Sequence, residues 1–268
     1  MSADTLTTWV LCWRIERRDG VTIGLTGHDH DLWIDGLRYR AAPGLTPSAI
    51  LRGDGLDPDL MEASGALTSA AIGERDLLAG RWDGAGVAAI AVDWTGQEPP
   101  VALGQGTIGS VRLGEGGFSA ESRGVGALLD RPVAEETSPD CRASLGDRRC
   151  RVAMASRRHF ARVVTWDGEV MLTVDRPEPV AGAYGQGRLI WFGGANAGLE
   201  ALILGSEGDR IRIATAPAYT VEEGALVELV EGCDKRLETC LSRFGNVVNF
   251  RGEPFLPGID LLTRYPGA

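Results

Sequence analysis

The sequence has few of the residues that most often carry enzyme chemistry. It contains only three histidines, His28, His30 and His159, and a Ser/His/Asp triad cannot be built convincingly from them. Cysteine is almost as scarce, with five in 268 residues. The motifs of a nucleophile elbow and of a phosphate-binding loop are missing as well. These absences argue against the hydrolases and nucleotide-binding enzymes that depend on those residues.

Positive charge and long apolar runs are also in short supply. Lys and Arg number 27 against 37 Asp and Glu, for a net charge of −10, so binding of nucleic acid through counterion release is not expected. No run approaches the roughly 18 apolar residues of a membrane span. The opening MSADTLTTWVLCW lacks the basic and apolar regions of a signal peptide. We therefore expect a soluble chain that assembles in the cytoplasm, where thiols stay reduced.

Glycine is abundant, at 37 residues, and 13 prolines accompany it, a mixture that favours many short elements joined by turns. Asp19-Gly20 and Asp35-Gly36 stand between β-prone segments and predict two hairpins within residues 9–40. Apolar alternation predicts more strands on both sides of a polar loop at residues 136–150. The sequence predicts a mainly β fold of two small barrel-like or sandwich-like domains, with a boundary near residues 135–160.

Two short helices are predicted beside the strands. One covers Ala70 to Ala79, with Leu77 and Leu78 facing inward, and the other covers residues 124–130.

Two polar motifs carry weaker signals. The stretch GHDHDL would place His28 and His30 on one face of a strand and the aspartates on the other. Because no third ligand is evident there, a plain polar hairpin is the preferred interpretation over a metal site. A G-x-G-x-x-G pattern at residues 104–109 is followed by β-branched residues and not by a helix, which argues against a dinucleotide site.

The cysteines carry the clearest pattern. Cys12 lies in the apolar run WVLCW and is expected to be a buried packing residue. The other four form two pairs: eight residues separate Cys141 from Cys150, six separate Cys233 from Cys240, and 82 lie between the pairs. In a reducing compartment, metal binding is favoured over disulfides for such pairs.

Four thiolates around Zn²⁺ or around a [4Fe–4S]²⁺ core keep a net charge of −2, which basic neighbours would offset. Such neighbours are present in the two cysteine segments: Arg142, Arg148, Arg149, Arg151, Lys235 and Arg236. Their alternative interpretation is ordinary solvated loop charge. Sulfur atoms around one zinc ion lie only about 3.8 Å apart, and a cubane cluster is wider. Spacing alone therefore leaves three alternatives open: an iron–sulfur cluster, zinc, or four unrelated thiols or disulfides formed under stress.

The segments SPDCRASLGDRRC and GCDKRLETCLSRFGNVVNFRGEPFLPGID resemble the phage-related tail-hub family of tailed phages and gene transfer agents. The stretch GLTGHDHDLWIDGLRYRAA resembles the N-terminal signature of that family. The family is similar to the tail-tip L protein of lambdoid phages, in which cysteine pairs of the same two spacings hold a [4Fe–4S] cluster. The resemblance implies that Cys141, Cys150, Cys233 and Cys240 bind such a cluster here.

The predicted boundary and the positions of the cysteine pairs also predict a division into domains. We expect an N-terminal hub domain at residues 1–140, a second β-domain at 141–240 bracketed by the cysteine pairs, and an extended C-terminal segment at 241–268. The cluster would act as a metal staple that closes the neck of the second domain and fixes it against the first.

The implied function is structural and non-enzymatic. The protein would form a homotrimeric ring at a tail baseplate, between the distal tail ring protein and a larger hub or fibre protein, with DNA passing through without specific binding. Two rival interpretations remain at this point: an iron–sulfur redox enzyme or cell-wall hydrolase used in tail entry, and a zinc-stapled structural module.

Overall fold

A computed structural model describes residues 8–41, 46–47, 60–66, 72–114, 117–123 and 134–256 of the chain. The chain divides into two compact units, Met1–Pro132 and Val133–Ala268. The described part is mainly β with a few short helices, as the sequence predicts. The helix predicted over residues 124–130 lies outside the described residues.

The first unit is built on one nine-stranded sheet. Its strands are β1 (Trp9–Glu16), β2 (Thr22–Thr26), β3 (Leu32–Ile34), β4 (Leu37–Ala41), β5 (Thr46–Pro47), β6 (Leu60–Ala66), β7 (Gly86–Asp93), β8 (Val101–Gly114) and β9 (Gly117–Arg123). Their order across the sheet is β3-β4-β2-β1-β7-β8-β9-β6-β5. The β2/β4 pair is parallel, and the other pairs are antiparallel. The G-x-G-x-x-G pattern at residues 104–109 falls inside β8, so it forms strand and not a dinucleotide loop.

Both predicted hairpins are confirmed. Gly20, with φ of 87°, lies in the connection between the antiparallel strands β1 and β2. Asp35 and Gly36 both have positive φ, 49° and 78°, and join β3 to β4. Two successive positive φ angles are the requirement of a type I′ turn, whose twist matches that of the flanking strands.

Tryptophan dominates the core of the first unit. Trp13 and Trp82 are each 2% exposed, and Leu25 packs with them. Cys12 belongs to a second cluster with Tyr39, is fully buried, and its thiol hydrogen-bonds to Thr26 Oγ1 at 3.2 Å. The prediction of a packing role for Cys12 is confirmed.

The predicted first helix is real but short. It is α1 (Glu74–Leu78), and residues 70–71 of the predicted span lie outside the described part. Leu77 is 8% exposed, whereas Leu78 is 71% exposed. The inward orientation predicted for Leu78 is therefore wrong. With 3.6 residues per turn, adjacent residues point about 100° apart, and a helix of this length has a single buried stripe.

The second unit contains a closed six-stranded barrel. Its strands are β10 (Arg158–Trp166), β11 (Met171–Val174), β12 (Arg188–Trp191), β13 (Glu200–Glu207), β14 (Arg210–Ile213) and β15 (Leu226–Val230). They close in the order β10-β11-β14-β13-β12-β15, with β15 paired back to β10. Strand alternation fills the interior: in β14, for example, Ile211 and Ile213 are fully buried while Arg210 and Arg212 face outward.

A short helix, α2 (Leu237–Ser242), follows the barrel, and a 3₁₀ turn at Val247–Asn249 comes after it. α2 is not among the two helices predicted from the sequence. Because α2 carries Cys240, this small element belongs to the candidate site.

Candidate metal centre

Cys150, the second residue of the first cysteine pair, lies on a turn organised by one carboxylate. Asp147 accepts hydrogen bonds from the backbone N–H groups of Ser144, Arg149 and Cys150, at 2.8, 2.8 and 2.6 Å. Burial opposes ionisation of Asp147, but these N–H donors outweigh it and lower its pKa. The charged Asp147 thus fixes the backbone on which Cys150 sits.

The second pair lies where the chain leaves the barrel. Cys233 comes three residues after the last residue of β15, and Cys240 lies within α2. Between them, Asp234 accepts from the backbone N–H of Arg236 at 3.0 Å and from the hydroxyl of Thr239 at 2.8 Å. Asp234 therefore organises the turn that leads into α2.

Direct hydrogen bonds bring the two pairs together. The backbone N–H of Cys141 donates to the carbonyl of Lys235 at 2.8 Å, and Nζ of Lys235 donates to the carbonyl of Ala143. The side chain of Asn246 donates to the carbonyl of Cys150 at 2.6 Å. We call the two segments that meet here, residues 134–150 and 233–256, the neck of the second unit.

All four predicted ligand residues line one cavity at the neck: Cys141, Cys150, Cys233 and Cys240. The remaining wall is formed by apolar side chains, including Leu145, Val152 and Phe244, and by polar ones, including Lys235, Arg236 and Asn246. The four cysteines are free thiols and not disulfides.

Four thiols on one cavity are compatible with both of the predicted metal groups, a single zinc ion and a cubane iron–sulfur cluster, because each is bound by four thiolates.

Hydrogen-bond donors face two of the sulfurs. The backbone N–H of Arg251 lies 3.4 Å from Sγ of Cys141, and Nδ2 of Asn246 lies 3.6 Å from Sγ of Cys150. N–H donors of this kind stabilise thiolate ligands and tune iron–sulfur clusters. The chemistry of the donor set therefore fits a four-thiolate metal group.

Burial raises the pKa of the thiols of Cys233 and Cys240. For Cys240, the neighbouring sulfurs of Cys141, Cys233 and Cys150 raise the pKa further, because like charges disfavour ionisation. A metal bound here would have to displace these protons, so its affinity would depend on pH.

Some of the basic residues predicted to offset the negative charge of the four thiolates lie at the cavity, and others form ion pairs elsewhere. Lys235 and Arg236 line the cavity. Arg142 and Arg149 instead form ion pairs with Glu135. The positive charge nearest to the thiols therefore comes more from the loop between Cys233 and Cys240 than from the loop between Cys141 and Cys150.

A two-point ion pair also joins the two segments of the neck. Nη1 and Nη2 of Arg142 donate to Oε2 and Oε1 of Glu253 at 2.6 and 2.7 Å. The hydrogen bonds from Arg142 and from the backbone N–H of Ser138 lower the pKa of Glu253 to about 2. Gly252 permits this approach, since a Cβ there would lie 2.7 Å from the carbonyl oxygen of Asp140. No sequence motif marks this pair.

The histidine-rich stretch is not a strand. Residues 27–30 form a bend between β2 and β3, so the strand alternation assumed for them does not apply. Oδ1 of Asp29 lies 2.8 Å from Nδ1 of His30 and 3.0 Å from Nδ1 of His28, and the N–H of His30 donates to Nδ1 of His28. These contacts close a polar turn, and Asp29 supplies the third ligand atom that the sequence did not reveal.

Comparison with known proteins decides the family. Residues 1–153 match the family model described as baseplate hub protein, N-terminal attachment domain. Residues 182–260 match the model described as phage conserved hypothetical protein BR0599. A chain in the solved structure described as the virion of a native gene transfer agent (GTA) particle is 36% identical, with a TM-score of 0.85. That alignment covers 98% of this chain and 93% of the other.

The chain belongs to the phage baseplate hub family. The predicted resemblance is thereby confirmed, and the protein is a structural component of a phage-like tail baseplate. The first family model of this hub protein includes the first cysteine pair, and the second includes the other pair. No curated protein sequence matches the chain. Among the described residues, no helix has the length and apolar character needed to cross a membrane.

Proposed function

We propose that this hub protein is a non-enzymatic tail-baseplate component whose neck is held by a [4Fe–4S] cluster bound to Cys141, Cys150, Cys233 and Cys240. One observation carries the proposal: four free thiols from two distant segments line a single cavity. The N–H donors that face Sγ of Cys141 and of Cys150 suit the thiolate ligands of such a cluster.

The proposed role of the bound group is structural. The first pair precedes β10 and the second follows β15, so the four thiolates bracket the whole barrel. A group that joins them stabilises only the folded neck, and its binding free energy counts toward folding. Four cysteine ligands leave no open coordination position for a substrate, which favours this role over catalysis at the metal itself.

The proposed setting is a homotrimeric ring within the particle, between the distal tail ring protein and a larger hub or fibre protein. The gene transfer agent similarity supports a position in the tail. DNA would pass through the ring without specific binding, and the net charge of −10 supports this because an acidic surface repels phosphates. Assembly would begin in the cytoplasm, where the thiols stay reduced.

Anaerobic purification with iron, sulfide and zinc analysis tests the cofactor. The proposal predicts four iron and four sulfide per chain and a broad absorbance near 400 nm. A colourless protein with one zinc per chain would establish the zinc-stapled alternative instead. Turnover on peptidoglycan by the purified protein would favour the hydrolase alternative.

A further inference from the structure

Glu231 is a carboxylate buried at the junction between the barrel and the neck. It directly follows β15, and its side chain is 5% exposed. Three cationic or potentially cationic groups surround it: Nη1 of Arg157 at 2.8 Å, Nη2 of Arg243 at 2.5 Å and Nε2 of His159 at 3.4 Å. A charge buried this deeply needs such partners, and the partners in turn need the charge.

Arg243 connects this carboxylate to the metal-site helix. It directly follows α2, and its backbone N–H donates to the carbonyl of Thr239 at 3.0 Å. Its guanidinium also donates to the carbonyl of Gly232 at 3.2 Å and to that of Ala183 at 2.9 Å. α2 ends at Ser242, two residues after the cavity residue Cys240. The side chain of Arg243 thus fixes this end of the helix to the barrel.

Phe244 completes the connection to the cavity. The guanidinium carbons of Arg157 and Arg243 lie 4.7 and 4.8 Å from the centre of its ring. At these distances each guanidinium is attracted to the face of the ring. Because Phe244 also lines the thiol cavity, the two arginines that Glu231 pairs with fix one wall of that cavity.

We infer that Glu231 is a positioning residue for the four-thiolate site: it holds Arg157 and Arg243 against Phe244 and so keeps the cavity wall closed over the bound group. Glu231 touches no sulfur atom in any contact described above, so it acts through other residues. This inference rests on the proposed function for the identity of the bound metal group. The position of Phe244 in the cavity wall does not depend on which metal is bound.

Loss of the Glu231 charge has a definite consequence. In Glu231→Gln, the guanidinium groups of Arg157 and Arg243 lose their shared counter-charge and gain by turning toward water. Phe244 then loses its two stacking partners, and solvent reaches the sulfurs. Removal of outer residues around metal ligands typically weakens metal binding about ten- to hundredfold.

The chain offers a matched control. Glu228 lies on β15, its side chain is also 5% exposed, and it forms a two-point ion pair with Arg158 at 2.5 and 2.8 Å. It does not line the thiol cavity. Glu228→Gln therefore removes an equally buried, ion-paired carboxylate of the same barrel without touching the wall.

The experiment compares metal release from the anaerobically purified full chain and its variants Glu231→Gln, Phe244→Leu and Glu228→Gln. A chelator is added, and the iron or zinc released is followed together with the absorbance near 400 nm. We expect release about ten- to hundredfold faster for Glu231→Gln and Phe244→Leu, and within about twofold of the native rate for Glu228→Gln. The double variant Glu231→Gln/Phe244→Leu should be no faster than the faster single one, because both changes open the same wall.

A second measurement needs no metal. In the metal-free chain, alkylation of Cys240 followed by mass spectrometry should be faster in Glu231→Gln than in the native protein and unchanged in Glu228→Gln. Arg243→Lys, which keeps the charge but loses the planar stacking surface, should behave like Glu231→Gln. Native release and alkylation rates in Glu231→Gln, or equal acceleration in Glu228→Gln, would overturn the inference. Zinc, or no metal, in the native protein would defeat the proposed cofactor, and the alkylation rates would still decide the role of Glu231.

Discussion

Arg142 and Glu253 lie 111 positions apart in the chain, yet they form a two-point ion pair at 2.6 and 2.7 Å. The pair joins the segment that carries the first two cysteines to the segment that follows the last two. The neck of the second unit is therefore held by protein contacts as well as by whatever the thiols bind.

The ion pair predicts a low pKa for Glu253 that depends on Arg142. The folded pKa of about 2 lies below the ordinary 4.5, so the contribution of the pair to stability is complete above about pH 4.5 and is lost as the pH falls toward about 2. Titration of the Glu253 carboxyl carbon by NMR should give this low pKa, and the pKa should return toward 4.5 in Arg142→Met.

Glu135 provides the control for that titration. Its pKa is lowered first by its hydrogen bond to Arg149 and then by Arg142. In Arg142→Met, the pKa of Glu135 should stay below its ordinary value because Arg149 remains. An unchanged pKa of Glu253 in that variant would contradict the assignment of the ion pair.

Removal of the metal should leave the neck associated at pH 7. The amide of Cys141, bonded to the carbonyl of Lys235 at 2.8 Å, reports on this contact. Hydrogen exchange of that amide should remain slow after chelation of the native chain. It should become fast when chelation is combined with Glu253→Gln, because the metal and the charged ion pair are then both lost and only hydrogen bonds remain between the two segments. Fast exchange after chelation alone would show that the metal holds the neck by itself.

Replacement of single cysteines separates ligands from bystanders. Serine at position 141, 150, 233 or 240 should remove most of the bound iron, since each thiol is an equal member of one site. Cys12→Ala is the control, because Cys12 is fully buried in the first unit and bonded to Thr26. Full iron content in any of the four serine variants, or loss of iron in Cys12→Ala, would disprove the ligand set.

Gly232 should tolerate no side chain. A Cβ at this position would lie 2.0 Å from the carbonyl oxygen of Gly185 and 2.3 Å from the backbone nitrogen of Gly187. Because backbone atoms cannot move aside, Gly232→Ala should destabilise the barrel by at least about 2 kcal/mol. Gly193→Ala is the matched control, with no atom within 4 Å of the new Cβ, and should change stability by less than about 1 kcal/mol. Urea unfolding measures the change in stability of both variants, and hydrogen exchange of the backbone amides of β12 and β15 shows whether the loss lies in the barrel.

Alanine substitutions at the two leucines of α1 should have very different effects on stability. Leu77→Ala removes a buried side chain from the first core and should cost about 2–5 kcal/mol, whereas Leu78→Ala changes an exposed one and should stay within about 0.5 kcal/mol. Hydrogen exchange of β7 in the two variants measures the difference. Similar losses of stability in the two variants would contradict the exposed position of Leu78.

Some of these features could be predicted from the sequence because their causes are local. The Asp35-Gly36 hairpin follows from two residues that accept positive φ, and the burial of Cys12 follows from its apolar strand. The two cysteine pairs could be recognised from their spacing and family resemblance. In each case a few adjacent residues determine the outcome.

The remaining features depend on contacts that no local pattern encodes. The Arg142–Glu253 pair joins residues 111 positions apart, and the contact of Arg157 with Glu231 joins residues 74 positions apart. The helix α2 is one turn and a half long, too short for a clear apolar period. At residues 27–30, alternation was assumed for a strand, but the chain bends there and brings Asp29 between two histidines.

A cryo-EM map of the assembled tail end would show directly what the four cysteines bind. We predict continuous strong density, of the size of a four-iron cluster, that joins Sγ of Cys141, Cys150, Cys233 and Cys240 in every copy of the hub protein. A single compact peak of one zinc ion, or no density between the four sulfurs in particles kept free of oxygen, would contradict it.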